Sequence, residues 1–430
     1  MPSALILGGY GLIGSACCRA LASAGFQITG LGRSERAAHS SGLNQDWIIR
    51  DLCKITVDEW RDILKNFDVV VNAAGALQDG PDDNLDEIHA ALPRHLCAAL
   101  SDRTRLIQIS AAGVALDAST EFFRSKARGD EHISQSGHDW VILRPTLVLA
   151  PDAYGGTGLL RGAAALPGIL PRIFRKSMIQ TVHIDDLASS VVAAAEGEIA
   201  TGAILDVTSG DAHSLPDLTR AIRRWQGFPA ARIEIPVPGP ILRLTGRLAD
   251  LSGRLGWRSP MRSTALMALK DGVRGDAKPA RAAGLPEPRS LAATLASLPS
   301  TRQERLYARL YFALPLAIVA LSIFWIFSGL VALATPAQAA EVLMTSALPR
   351  AAVWAVVLAG AAADILLGVA ILWRRWCRIA ALGMIALSST YLLGGALFTP
   401  ELWADPLGPM IKVVPGMLLA LIVWLGVEDR

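Results

Sequence analysis

Short apolar runs alternate with polar segments of helical periodicity along the first half of the chain. The runs that we predict as strands are Ala4–Leu7, Gln27–Leu31, Trp47–Arg50, Val69–Asn72, Leu106–Ser110 and Trp140–Arg144. Strands that alternate with helical segments are typical of a parallel sheet covered by helices on both faces. We therefore predict an α/β fold with a doubly wound parallel sheet for this half.

The last third of the chain is strongly apolar and predicts four transmembrane helices, Tyr311–Leu333, Ala351–Trp373, Ile379–Phe398 and Met410–Val427. Each approaches the ~20 apolar residues that cross ~30 Å of hydrocarbon. Arginines 302, 305 and 309 precede the first helix, and arginines 374, 375 and 378 lie between the second and third. Positive-inside placement then predicts a multi-pass protein of the cell (inner) membrane, with the N-terminal domain and the C-terminus in the cytoplasm. A buried soluble bundle is the alternative.

Composition fits a chain that is only partly in lipid. Of its 430 residues 52% are hydrophobic and 18% are charged, below the ~25% of soluble domains. A net charge of +3 gives no support for nucleic-acid binding. No basic leader precedes the first strand, so the first domain is expected to stay in the cytoplasm. The five scattered cysteines are expected to be reduced, buried thiols.

The chain divides by composition into three predicted domains, 1–210, 211–300 and 301–430. The middle segment is rich in proline and arginine and is where a small substrate lobe is expected. Between residues 251 and 310 there are eleven Arg or Lys against four Asp or Glu. This excess favours attraction to anionic lipid headgroups, and an ordinary solvated face is the alternative.

A glycine-rich turn follows the first predicted strand. Gly8, Gly11 and Gly14 are spaced three residues apart, and a helix is predicted from there to about Ala24. This spacing lets the backbone turn tightly and approach a pyrophosphate at a helix N-terminus. The pattern alone is weak evidence, but its position between a strand and a helix is the required context for dinucleotide binding.

The end of the second predicted strand bears on which dinucleotide is bound. An acidic residue there would bind the ribose 2′-hydroxyl of NAD, whereas this chain has Arg33. A guanidinium suits a 2′-phosphate, so NADP(H) is favoured over NAD(H). Glu35 weakens this preference, and a solvated loop arginine is the alternative.

Residues 1 to about 210 resemble the short-chain dehydrogenase/reductase (SDR) superfamily, in its atypical and extended branches. The resemblance rests on the three glycines together with Asp51-Leu52, Asn72-Ala73-Ala74-Gly75, Ser110, Ser125-Lys126, Arg144-Pro145 and Val182-His183-Ile184-Asp185-Asp186. The segment Arg302–Tyr311 and the apolar helices resemble the DoxX-like membrane domain that is fused to some members. The first part is also similar to the Rossmann-type accessory subunit of respiratory complex I.

The resemblance implies roles for individual residues. Those expected to bind the cofactor are Gly8, Gly11, Ile13 and Gly14 at the pyrophosphate, Arg33 and Ser34 at the adenosine ribose phosphate, Asp51 and Leu52 at the adenine, Ala73, Ala74 and Gly75 along the groove, Lys126 at the nicotinamide ribose, and Pro145 and Val148 at the nicotinamide. Ser110 would hydrogen-bond a substrate carbonyl.

One member of the family's catalytic set is absent. The family's proton donor is a tyrosine four residues before the lysine, on the same helix face, and this chain has Phe122 there. Phenylalanine cannot exchange a proton, which places ordinary carbonyl reduction in doubt. Tyr154, after the sixth predicted strand, is a candidate substitute, and a loop or packing role is its alternative.

Two further acidic positions need an interpretation. Asp185 is expected to cap the apolar helix that follows it, and no metal site is predicted there or elsewhere. Asp364 lies midway along the second apolar helix with Gly360 and Gly368 on the same face. An ionisable residue at mid-membrane is a candidate for quinone or lipid binding or proton relay, and a hydrogen-bonded packing residue is the alternative.

Two functions remain open at this stage. The first is a membrane-anchored NADP(H)-dependent oxidoreductase acting on an amphiphilic carbonyl or quinone-like substrate. The second is a non-catalytic NADP(H)-binding module that reports redox state to a membrane protein partner or assembly. Phe122 favours the second, while the glycine loop and Lys126 fit both. A channel or transporter with a regulatory domain is weaker, because only one acid lies at mid-membrane.

Overall fold

The computed structural model describes residues 1–80, 84–344, 349–406 and 408–427. The described chain forms two compact units. The first comprises Met1–Asp250 and Ser259–Ala308, and the second comprises Leu251–Arg258 and Arg309–Arg430. Whether residues 211–300 act as a substrate lobe stays a prediction.

A seven-stranded parallel sheet is the centre of the first unit. Its strands are β1 (Ser3–Leu7), β2 (Gln27–Gly32), β3 (Asp46–Ile49), β4 (Val69–Asn72), β5 (Arg105–Ile109), β6 (Trp140–Pro145) and β10 (Ala203–Val207). Their order is β10-β6-β5-β4-β1-β2-β3, with every pair parallel. The predicted doubly wound sheet is therefore confirmed, and β10 is a strand that the sequence pattern did not predict.

Alternating side chains of the strands build a core on each face of the sheet. In β1, Ala4 and Ile6 belong to one buried cluster and Leu5 and Leu7 to the other. Successive side chains of a strand point to opposite faces, and both faces of a parallel sheet are covered. This is why the strands are continuous apolar runs rather than alternating ones.

The remaining elements of the chain up to residue 310 cover this sheet or extend from it. The strands are β7 (Leu147–Leu149), β8 (Ile169–Arg172), β9 (Met178–His183), β11 (Ala212–Ser214) and β12 (Ile233–Pro236). The helices are α1 (Leu12–Ser23), α2 (Glu35–Ser40), α3 (Val57–Leu64), α4 (Leu92–Ala99), α5 (Glu121–Ser134), α6 (Gly156–Ala164), α7 (Ile184–Ala195), α8 (Leu215–Trp225), α9 (Gly239–Arg254), α10 (Ser263–Asp271), α11 (Lys278–Ala282), α12 (Leu291–Ser297) and α13 (Arg302–Leu310).

The predicted cap of α7 is wrong. The capping residue is His183, whose Nδ1 accepts a hydrogen bond of 3.1 Å from the Asp185 amide. Asp185 therefore supplies the amide instead of the capping oxygen and lies inside the first turn. Asp186 pairs with Arg289, whose guanidinium lies 2.8 Å from its carboxylate.

The second unit consists mainly of apolar helices, α14 (Ala313–Ala334), α15 (Pro336–Met344), α16 (Arg350–Ala370), α17 (Cys377–Phe398) and α18 (Val413–Gly426). Within the described residues, three helical stretches are long and apolar enough to cross a membrane, Arg302–Ala334, Arg350–Ala370 and Cys377–Phe398. The fourth predicted span is shorter than expected. The 14 residues of α18 rise only ~21 Å, because residues 409–412 form turns instead of helix.

Small residues let α14 and α16 approach closely. A Cβ on Gly329 would lie 2.5 Å from the Ala361 carbonyl oxygen, and one on Gly368 would lie 2.8 Å from Ile326. Asp364 of α16 is buried beside this contact, where its carboxylate accepts hydrogen bonds of 2.8 Å from the Ser328 and Tyr391 hydroxyls. Asp364 thus joins three apolar helices through polar contacts.

The glycine loop supplies a direct test of the fold. A Cβ on Gly14 would lie 2.2 Å from the Gly8 carbonyl oxygen, which is backbone and cannot rotate away. We expect Gly14→Ala to destabilise the first unit by about 1–3 kcal/mol. Near-UV circular dichroism of the full chain during thermal unfolding in detergent measures this effect.

Gly156→Ala is the matched control, because a Cβ there meets no atom within 4 Å and its φ is negative. It should leave the unfolding temperature unchanged or raise it slightly. Equal unfolding temperatures for the two variants would contradict the close approach of Gly14 to Gly8.

Candidate cofactor and active site

The loop between β1 and α1 forms a cradle of backbone atoms. Gly8 has a φ of +70°, and a Cβ on it would lie 3.1 Å from Cα of Ala74. Helix α1 begins after Gly11 without a capping side chain. Its first amides therefore face the loop with the positive end of the helix dipole, an arrangement that fits a pyrophosphate.

Tyr10, inside the glycine loop, organises the end of β2. Its ring packs on Gly32, where an added Cβ would lie 2.2 Å from Cε1. Its hydroxyl accepts a hydrogen bond of 3.1 Å from the Arg33 amide. Arg33 itself is exposed at the strand end, and Ser34 caps α2 by accepting from the Ala37 amide. The sequence reasoning missed Tyr10, whose only signal was an aromatic residue among the glycines.

Asp51 and Leu52, the residues expected at the adenine, follow the end of β3. Asp51 accepts a hydrogen bond of 3.2 Å from the Cys53 amide and so starts a short 3-10 helix over Leu52–Lys54. The Leu52 side chain is buried in the core on this face of the sheet. The two residues follow the carboxyl end of a strand that neighbours β2.

Small residues follow β4, next to the glycine loop. The Asn72 side chain accepts from the Ala74 amide at 3.2 Å and donates to Gln108 of β5 at 2.8 Å, which fixes the loop. The Ala73 amide donates to Leu7 of β1 at 3.1 Å. A Cβ on Gly75 would lie 3.9 Å from Nζ of Lys126, so the predicted groove and the predicted lysine do lie together.

Lys126 projects from α5 into the protein and is 7% exposed. Its Nζ donates a hydrogen bond of 3.1 Å to the Ile109 carbonyl oxygen at the end of β5. Burial lowers the pKa of the Lys126 ammonium to about 8, against the opposing effect of the Asp130 carboxylate. An amine with this pKa can change its protonation state near neutral pH.

Ser110 and Asp130 form a buried polar pair beside this lysine. The Ser110 hydroxyl donates a hydrogen bond of 2.8 Å to Asp130, which also accepts two from Arg144 at 2.8 and 3.0 Å. Burial raises the pKa of Asp130, although Arg144 favours the charged form. The Ser110 hydroxyl thus donates its hydrogen bond to the Asp130 carboxylate, and in this conformation the proton is not available to a substrate carbonyl. Asp130 was missed, though its position four residues after Lys126 was a readable signal.

Phe122 lies where the family's tyrosine would be. The Phe122 ring centroid is 5.7 Å from Nζ of Lys126, within the range of a cation–π contact. It also packs edge-to-face with His89, with the ring centroids 5.5 Å apart. The ring occupies the place next to the lysine without a group that can carry a proton.

His89 connects the cofactor groove to helix α5 and was not predicted. Its Nε2 accepts a hydrogen bond of 3.2 Å from the Ala76 amide, so Nδ1 carries the proton and donates to the Ser125 hydroxyl at 2.9 Å. Burial, and after it the charge of nearby Lys126, lowers the pKa of His89 to about 2. The imidazole is therefore neutral at physiological pH and acts as a positioning group.

The remaining predicted residues lie around the same edge of the sheet. Pro145 ends β6 and its carbonyl accepts from the Ala112 amide at 2.9 Å. Ile13 and Val148 pack against one buried cluster behind the glycine loop. Tyr154 lies in a loop and is 63% exposed, with Gly155 directly after it close to Leu77. The structure thus gathers the glycines, the small-residue groove, Ser110 and Lys126, whereas Tyr154 stays at the surface.

Two family models match separate parts of the chain. Residues 8–173 match an NAD(P)H-binding family, and residues 322–422 match the DoxX-like family. The first match covers the glycine loop, the groove and Lys126. The second covers most of the apolar helices of the second unit.

Among known proteins, ceramide reductase of Caulobacter vibrioides is 23% identical over 189 residues, which are 44% of this chain and 59% of that protein. The match to a second curated relative spans 44% of its length, so in both cases less than two thirds of the relative is covered.

Solved structures share the fold. The Bordetella bronchiseptica enzyme WbmH in complex with NAD⁺ is 17% identical, with a TM-score of 0.52 over 72% of this chain and 98% of its own. UDP-glucose 4-epimerase of Thermus thermophilus in complex with NAD is 17% identical, with a TM-score of 0.51 over 71% and 99%. Together with the family matches, these likenesses show that the chain combines an N-terminal part that matches NAD(P)H-binding proteins and has the fold of the NAD-bound epimerase structures with a C-terminal part that matches the DoxX-like family.

Proposed function

We propose that this protein is a membrane-anchored NADP(H)-dependent oxidoreductase that acts on an amphiphilic carbonyl or quinone-like substrate. The observation that carries the proposal is the position of Lys126. Its buried ammonium lies against Gly75 and the end of β5, on the edge of the sheet that also holds the Gly8–Gly14 cradle. A ligand held at the cradle can therefore reach a charged, desolvated group.

The cradle would hold the pyrophosphate, and the Lys126 ammonium would donate to the nicotinamide ribose. Arg33 and Ser34 directly follow β2, and the nearest acidic residue is Glu35 in the first turn of α2, so Arg33 favours a 2′-phosphate at this edge. NAD(H) would bind in the same positions, but it has no 2′-phosphate for the Arg33 guanidinium to contact. When bound, the reduced nicotinamide supplies a hydride.

Reduction of a carbonyl to an alcohol consumes one hydride at carbon and one proton at oxygen. The residues available for the proton are Lys126, through a water molecule, and Tyr154 if its loop closes over the groove. Ser110 would orient the carbonyl oxygen once its hydroxyl turns away from Asp130. A quinone would take up the same hydride and proton to give the quinol.

An amphiphilic substrate explains why the NAD(P)-binding domain is attached to apolar helices. A substrate dissolved in the bilayer is concentrated where the protein is anchored. The name of the relative from Caulobacter vibrioides, ceramide reductase, describes reduction of a lipid and is consistent with this class. The arginines around residues 302–309 and 374–378 support a cytoplasmic NAD(P)-binding domain at the inner membrane.

Phe122 supports a second candidate, a non-catalytic NADP(H)-binding module. Its ring packs between Lys126 and His89 and offers no proton. Cofactor binding would then stabilise the first unit and report redox state to a membrane protein partner. Both candidates require the same cofactor cradle.

Arg33→Ala tests the choice of dinucleotide. A charge-assisted contact to phosphate contributes roughly 1.5–3 kcal/mol, so NADPH should bind ~10–100-fold more weakly, with little change for NADH. Calorimetric titration of the full chain in detergent measures both affinities. Arg19→Ala, on the exposed side of α1, is the matched control. An equal loss for NADPH and NADH would contradict a role at the 2′-phosphate.

Phe122→Tyr tests whether the site lacks only its proton donor. A hydroxyl at this position would be next to Lys126, whose charge lowers the pKa of a phenol and prepares it for proton transfer. We expect NADPH oxidation in the presence of a long-chain ketone or an alkyl benzoquinone to rise by about tenfold or more. Phe122→Tyr/Lys126→Met is the control and should lose the gain. Unchanged turnover would favour the non-catalytic candidate.

The pKa of Lys126 predicts a pH dependence of cofactor binding. With a pKa of about 8, the amine loses its proton as the pH rises from 7 to 9. If the ammonium holds the ribose, NADPH affinity should fall by up to about tenfold per pH unit above this pKa. Titration of NADPH from pH 6.5 to 9.5 measures the profile, and Lys126→Arg should flatten it. A flat profile in the unmodified protein would show that the ammonium makes no contact with the cofactor.

A further inference from the structure

Helix α9 exposes an apolar stripe. Ile241, Leu244, Leu248 and Leu251 recur at intervals of three or four residues and so share one face. Each of these side chains is between 53% and 58% exposed. Four large aliphatic side chains in a continuous exposed row are unusual for a helix surrounded only by water.

The opposite face of α9 is the one that packs on protein. Gly246, Ala249 and Gly253 are buried there, and a Cβ on Gly246 would lie 3.3 Å from Cα of Ser263. Asp250 accepts hydrogen bonds from the Ser263 amide at 3.2 Å and from its hydroxyl at 2.7 Å. The helix thus buries its small residues and presents its leucines, the reverse of an ordinary amphipathic surface helix.

Cationic side chains flank the stripe. Arg243 and Arg247 each precede a leucine of the stripe by one position, and Arg254 follows at the end of the helix. All three are exposed. On a helix with 3.6 residues per turn they lie together along one border of the apolar row. Apolar residues bordered by arginines are the pattern of a helix that lies in a bilayer interface.

The chain directly after α9 belongs to the membrane unit. Residues Leu251–Arg258 are part of the second unit. The Trp257 indole donates a hydrogen bond of 2.6 Å to the carbonyl of Leu372, two residues beyond the span Arg350–Ala370. The Arg374 guanidinium lies over the Trp257 ring, 5.6 Å from its centroid. The segment that follows α9 is therefore held at the end of a helix long and apolar enough to span a membrane, where lipid headgroups are expected.

We propose that α9 lies in the interface of the bilayer, with Ile241, Leu244, Leu248 and Leu251 inserted among acyl chains and with Arg243, Arg247 and Arg254 at anionic headgroups. The partner is the lipid surface itself, since the helix continues into the unit that spans it. Insertion of the apolar side chains and attraction of the arginines to anionic headgroups both contribute to the free energy of membrane binding, and for such helices the two contributions add.

Lipid contact at α9 has a consequence for the candidate site. Arg262 donates to Asp250 of α9 at 3.3 Å and to the Asp79 carbonyl at 2.7 Å, in the loop that follows β4. The Arg262 side chain thus connects α9 to the loop that follows the candidate groove. Lipid contact at α9 would place a substrate dissolved in the bilayer near the groove. This consequence rests on the proposed function, whereas the lipid contact itself does not.

A nitroxide at position 248 tests the contact. The full chain carrying Leu248→Cys is labelled in a background of Cys53→Ser and Cys97→Ser and placed in nanodiscs of phosphatidylcholine and phosphatidylglycerol. The three remaining cysteines, Cys17, Cys18 and Cys377, are buried and therefore inaccessible to the label. Burial also raises the pKa of the Cys17 and Cys18 thiols, to about 12 and about 11, which keeps them unreactive. Relaxation by oxygen, which concentrates in lipid, is compared with relaxation by a water-soluble nickel chelate.

We expect a several-fold higher ratio of oxygen to nickel accessibility at position 248 than at Ala22→Cys, an exposed position on α1. Ile241→Glu/Leu244→Glu should lower the ratio at 248 towards that control, and Arg243→Gln/Arg247→Gln should remove any increase that phosphatidylglycerol brings. A ratio equal to the control would show a face in water. Protection from both reagents would show a face covered by protein. Either result overturns the proposal, and neither depends on cofactor binding.

Discussion

The approach of Gly14 to the Gly8 carbonyl determines how the first unit is built around its candidate site. Only a residue without a Cβ can bring the start of α1 so close to the end of β1. This approach directs the first amides of the helix towards the crevice between β1 and β4, where the strand order reverses. The small residues after β4 then complete the crevice, and Gly75 brings it next to Lys126.

The second constraint is the burial of charged and polar side chains at the carboxyl ends of β5 and β6. The charges of Lys126 and Asp130 on α5 and of Arg144 on the neighbouring β6 offset one another, and Ser110 donates a hydrogen bond to Asp130. A buried charge without a partner would cost several kcal/mol, so this arrangement holds α5 against the ends of β5 and β6. Phe122 leaves these polar contacts intact but supplies no acid, so cofactor binding and turnover have to be tested separately.

Features of the backbone, such as the strands and the glycine loop, could be predicted from the sequence. Contacts between individual side chains were harder to predict. The runs around β1 and β4 and the glycine spacing predicted the sheet and its loop, because burial on both faces and a tight turn restrict the residue types. Strand β10 was missed, since it is a short edge strand with Ile204 exposed. His89 has no motif, and its role depends on Ala76 and Ser125 being brought to it by the fold. The cap of α7 was misassigned because an imidazole nitrogen accepts as well as a carboxylate does.

Cofactor binding by the unmodified chain is the property on which the proposed function depends most directly. Calorimetric titration in detergent with NADPH, NADP⁺, NADH and NAD⁺ measures it in one set of experiments. We predict saturable binding with both phosphorylated dinucleotides bound more tightly than their unphosphorylated counterparts. Absence of binding by all four to a protein whose circular dichroism shows it to be folded would contradict the account, and the cradle would then be a structural feature alone.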